Sequence, residues 1–183
     1  MDKEGHNKDK SFVGLDKIRV QHAQQVAKFQ EWADCGRWSD FPRNHFDWWA
    51  FPIDLPSTNY GLAYSLGRAD AAQLLADPSF LPLYRKGTFF PKSCVELIAL
   101  SWGWDIERQQ PVTNPGKQQQ WGRHDIRLRK VGQSLLLFGQ SDLHASLDRF
   151  VAHLEKDEGF SFDTASTAIR GDWPFTAGRG AAA

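Results

Sequence analysis

A single, mainly α-helical domain is what this sequence predicts, and three observations carry the prediction. Its 183 residues match the usual length of one domain. A content of 41% hydrophobic and 24% charged residues belongs to an ordinary globular chain rather than a disordered one. The segments with a clear period repeat their apolar residues every three or four positions, as a helix with one buried face requires. The expected layout is a disordered tail over residues 1–11, a helical domain of about six helices over 12–158, and an irregular tail over 159–183.

The first helix starts near Leu15, with Leu15, Ile18, His22, Val26, Phe29 and Ala33 on one face and Gly36 as its stop. From Cys35 to Tyr60 the pattern breaks, because Pro42, Pro52 and Pro56 forbid a long helix; this stretch reads as an aromatic-rich loop. Leu66 to Ala76 reads as a short helix ended by Asp77-Pro78, and Phe80 to Tyr84 adds a further turn. Ser93 is a candidate N-cap for a helix running to Trp104, with Val95, Ile98 and Trp102 on one side. Asp105 to Gln120, with Pro111 and Asn114-Pro115-Gly116, reads as an exposed loop. Periodicity leaves Asp125 to Phe138 open between a β-hairpin and a helix. Ser141-Asp142 caps the last helix, whose stripe is Leu143, Leu147, Phe150 and Leu154.

Composition excludes several function classes. The 22 Lys+Arg balance 22 Asp+Glu, so the basic surplus of a general nucleic-acid binder is missing. The longest apolar run, Leu135 to Phe138, is far short of the roughly 20 residues that span a membrane. Cys35 and Cys94 lie outside any CxxC spacing and read as free thiols of a reducing compartment. The N-terminus lacks the apolar stretch of a signal peptide, so a cytoplasmic location is expected. No phosphate-cradling glycine loop and no GxSxG turn occurs, and no cofactor is expected. The six histidines are scattered and suggest no metal site, and Arg170-Gly171-Asp172 reads as a chance tripeptide.

Two segments concentrate chemistry. The knot from Arg43 to Pro52 places Asn44, His45, Asp47, Trp48 and Trp49 together. Adjacent indoles cannot point the same way, so one is expected to pack inward while the other faces a groove able to stack a flat ring or clasp a peptide side chain. The alternative is that the knot only staples the first helix to the core. His45 beside Asp47 could form an orienting pair for base catalysis. The basic run holds Arg123, His124, Arg127 and Lys130; in a helix Arg123, Arg127 and Lys130 share one face, either as a phosphate or carboxylate cradle or as a solvated surface.

These segments together resemble the conserved region of the opioid growth factor receptor family. Asn44-His45 precedes Trp49-Ala50-Phe51-Pro52, and Trp121 and His124 precede Arg127 to Leu135. Ser57 and Asn59, a helix ending at Asp77-Pro78, and Trp102-Gly103 lie between them in the family's order, so the resemblance covers about residues 30–154. Both histidines stand one residue closer to the C-terminal part of their motifs than in the family pattern, and Gly132 replaces a large aliphatic residue. The first segment is also similar to bacterial proteins labelled calpastatin-like. Both resemblances imply an all-helical fold and so favour a helix over Asp125 to Phe138.

Animal members are associated with an enkephalin peptide and growth control at the nucleus. This sequence contains none of their long repeat tail and resembles a stand-alone domain, to which hormone signalling is not carried over. The resulting expectation is a non-catalytic binding domain for a peptide or protein, with Asn44, His45, Trp48, Trp49, Arg123, His124, Arg127 and Lys130 at its ligand site. The knot and the basic helix should then lie side by side, with Trp48 or Trp49 as a wall and Arg127 or Arg123 as a positive end. The alternative is an enzyme on a small anionic, nucleotide-like substrate, with His45 or His124 as acid/base.

Overall fold

The computed structural model describes residues 11–57, 59–85, 92–162 and 173–178. About half of these lie in helices: α1 (Leu15–Asp34), α2 (Asp40–Arg43), α3 (Asp47–Ala50), α4 (Arg68–Leu75), α5 (Leu81–Tyr84), α6 (Cys94–Ser101), α7 (Asp125–Leu137) and α8 (Ser141–Lys156). The only strands among the described residues, β1 (Trp104–Asp105) and β2 (Gln110–Pro111), pair antiparallel. No helix among the described residues is long and apolar enough to cross a membrane. The expected tail over residues 1–11 and the Arg170-Gly171-Asp172 tripeptide fall almost wholly outside the described residues.

The fold is mainly helical, but with eight helices among the described residues where the sequence suggested about six. The extra two are α2 and α3, single turns inside the stretch read as loop. Pro42 sits in the first turn of α2, where its missing N–H breaks no helical bond. Turns this short are not stable alone; burial of Phe41, Phe46 and Ala50 fixes them. Phe41 and Phe46 close on Phe29 of α1 with ring centroids at 4.8 and 4.6 Å.

At the centre stands α6, where Cys94, Val95, Leu97, Ile98 and Ala99 are all buried, the pattern of a helix covered on every side. A capping box starts it: Ser93 Oγ accepts from the Glu96 N–H at 3.3 Å, and the Ser93 N–H donates to Glu96 Oε2 at 3.2 Å. Against this core pack α1, α5 and β1, and α3 packs on α1. The ambiguous segment is the helix α7, which lies against α8 and buries Leu128, Val131 and Leu135. After Gly159 the described residues form no helix or strand, yet Phe162, Trp173 and Phe175 belong to the core.

Candidate functional site

The two nominated segments meet at one ion pair. Arg127 Nε donates to Asp47 Oδ1 at 2.7 Å, with each side chain only about a tenth exposed. Its other nitrogens donate to the Phe41 carbonyl at 3.0 Å and the Asn44 carbonyl at 2.8 Å. The guanidinium lies 4.1 Å from the centroid of Phe46. One planar fork thus fastens α2, the Asn44 turn and α3 to α7.

Successive residues on a helix point about 100° apart, yet in α3 the two indoles stay in contact, with ring centroids 6.2 Å apart and both against Tyr60. Trp49 faces α1: its Nε1 donates to Gln25 Oε1 at 3.2 Å, and its carbonyl meets His22 Nδ1 at 3.0 Å. Trp48 has its ring 4.8 Å from Tyr60 and 4.4 Å beneath Lys130 Nζ. Lys130 is also 3.7 Å from Asp47 Oδ2. Burial holds the Lys130 ammonium below its ordinary pKa, partly offset by Asp47.

On this side of the pair an open cleft of about 470 Å³ separates α7 from the loop after α3. Trp48, Phe51, Ile53, Leu55 and Tyr64 form one wall; Ile126, Arg129 and Lys130 form the other. Leu55 and Ile126 are 41% and 55% exposed, so its lips are apolar. A tight turn stiffens the loop wall: Ser57 and Gly61 exchange backbone bonds at 2.9 Å, and Ser57 Oγ accepts from the Tyr60 N–H at 2.7 Å.

On the other side lies a smaller cleft of about 230 Å³, bounded by Trp38, Phe41, Pro42 and Arg43, by Ser101 and Trp102 at the end of α6, and by Gln118, Gln120, Gly122, His124 and Arg127. His124 lines it and is half-buried; burial and then the neighbouring Arg127 depress its pKa, against Asp125 and Asp47.

The expected residues therefore divide. Trp48 and Lys130 line the aromatic cleft, and His124 and Arg127 line the smaller one. Trp49 is half-buried like Trp48, bonds to α1 and lines neither cleft. Asn44 is exposed and ties its amide to the Asp40 carbonyl at 2.7 Å. His45 is exposed and lines neither cleft. Arg123 donates to the Ser161 carbonyl at 2.7 Å and sits over Phe160, anchoring the chain beyond α8. Sequence reasoning passed over Arg129, which is the residue before Lys130, and Ile126, one helical turn from Lys130. It also passed over Trp38 and Gln118, whose place is set by chain segments far apart in sequence. Comparisons of the chain with family models, curated proteins and solved structures find no match.

Proposed function

We propose that this chain is a non-catalytic binding module, resembling the opioid growth factor receptor conserved region, whose aromatic cleft takes a peptide or protein segment with an apolar side chain beside an acidic group. The carrying observation is the cleft's composition: an indole capped by an ammonium at 4.4 Å, aliphatic lips, and Arg129 beside Lys130. A ring or aliphatic group would replace water on Trp48, Ile53 and Ile126, and a carboxylate would meet the cations of α7. Ser57 and Asn59, which belong to the resemblance, also line this cleft.

The histidine-dependent enzyme reading has less support. Asp47 is taken up by Arg127, and the His153 contacts to Asp157 and Glu158, at 2.8 and 3.3 Å, lie outside both clefts. On this reading residues 12–158 act as one cytoplasmic domain.

The test is fluorescence titration of the full chain with pooled acetylated tetrapeptides pairing Phe or Leu with Asp or Glu, and with the same pools carrying Asn or Gln. Because these peptides lack Trp, the indole emission comes from the protein alone. Acidic pools should change the emission, the change should vanish in Trp48→Phe, and Lys130→Ala should weaken binding about tenfold. Equal binding of the neutral pools, or no change with any pool, overturns the proposal.

A further inference from the structure

We infer that the smaller cleft is a second and separate binding site, for a small planar carboxylate. Its size suits one ring: a dry cavity of about 150 Å³ is enough to hold benzene, and this one offers about 230 Å³. Its walls suit a ring as well. Trp102, 4% exposed, forms the floor, and Trp38 stacks on Phe41 at 5.8 Å to form one side.

Charge decides what the ring carries. Arg43, His124 and Arg127 line the cleft, with no Asp or Glu among its described lining residues. Arg127 is neutralised by Asp47, which leaves Arg43 at the mouth, in no ion pair among the described residues, and the imidazole of His124. An arginine fork and one ring N–H match the two oxygens of a carboxylate.

The cleft is also held ready. Buried Gln119 accepts from the Gly116 N–H at 2.9 Å and donates to the Leu100 carbonyl at 2.9 Å, tying the loop wall to α6. A Cβ at Gly116 would stand 2.9 Å from Trp38 Nε1, so glycine lets this turn come down on the indole edge. One non-glycine lining residue, Gln118, adopts left-handed backbone with φ of 65°. Such conformations cost free energy, persist where the surroundings impose them, and gather at ligand sites.

The experiment is an NMR titration of the full chain, labelled with nitrogen-15 in Trp and His, with sodium benzoate, benzamide and inorganic phosphate in turn. Trp38→Phe and His124→Gln assign the signals. Benzoate should shift the Trp38 indole and His124 ring signals together and saturably. Arg43→Ala should weaken this binding about tenfold, while the charge control Arg68→Ala leaves it unchanged. No saturable shift with benzoate overturns the site. An equal response to benzamide shows that charge is not read, and an equal response to phosphate shows that the ring is not; either overturns the assignment. A response confined to Trp48 moves the binding to the aromatic cleft and overturns the claim of a separate site. The peptide reading of the aromatic cleft rests on Trp48 and Lys130, so either proposal can fail alone.

Discussion

Arg127 and Asp47, eighty residues apart in sequence, are joined at 2.7 Å by a side-chain bond that forms the partition between two clefts. The bond closes the knot of short helices onto α7, so the shape of both clefts depends on it.

Truncating Arg127 should therefore cost more than a surface charge. Arg127→Ala leaves a largely buried carboxylate with Lys130 at 3.7 Å and leaves the Phe41 and Asn44 carbonyls without this donor. Breaking a buried pair from one side costs about 3–5 kcal/mol. Urea denaturation should show a loss of that order, and Arg127→Lys should recover little of it, because an ammonium cannot span three acceptors held by a planar fork. A loss no larger than that of an exposed arginine would refute the clamp.

His22 should make stability fall on mild acidification. It is fully buried, and burial lowers its pKa from 6.5 to about 4 despite bonds to the Trp49 and Leu83 backbone. Between those values the unfolded chain binds a proton that the folded chain refuses, so stability rises with pH across this window and the penalty is complete below about 4. The shift corresponds to about 3 kcal/mol. Denaturation at pH 7 and pH 4.5 should differ accordingly, and His22→Gln should flatten the dependence whatever it does to absolute stability.

Replacing Gly132 should reverse what helix propensity predicts. Alanine in mid-helix gains about 1 kcal/mol over glycine. Here an added Cβ would stand 2.6 Å from both Phe175 Cζ and Pro174 Cγ. Overpacking of this kind costs about 1–3 kcal/mol, so Gly132→Ala should lower the melting temperature and loosen the packing of Pro174 and Phe175 on α7. An unchanged or higher melting temperature would show that the contact yields without cost.

The two thiols should react in sequence. Cys35 is exposed, whereas Cys94 is buried, and burial pushes its thiol well above the ordinary range. A thiol reagent should modify one cysteine of the folded chain, Cys35, and reach Cys94 only as fast as the protein unfolds. Immediate modification of both would contradict the buried place of α6.

Much of the helical frame was legible because its signals are local. The stripe from Ile18 to Phe29, the cap at Ser93 and the stripe from Leu143 to Leu154 each use residues three or four apart, and the helices α1, α6 and α8 carry them. The knot around Pro42 was not legible, because a single turn has no period to detect and α2 and α3 exist through contacts with Phe29. The glycine in α7 looked like a local weakness, and its reason, the ring of Phe175, stands forty-three positions along the chain.

The candidate site divides along the same line. By itself the sequence determined which residue types gather in the knot and the basic run; this follows from covalent order. Tertiary structure alone decided which indole would bond to α1, that Arg127 would spend its fork on Asp47 and two carbonyls, and that Lys130 would cap Trp48. A side chain's partners are set by which distant segments burial of the core brings within about 3 Å, and spacing along the chain does not contain that distance.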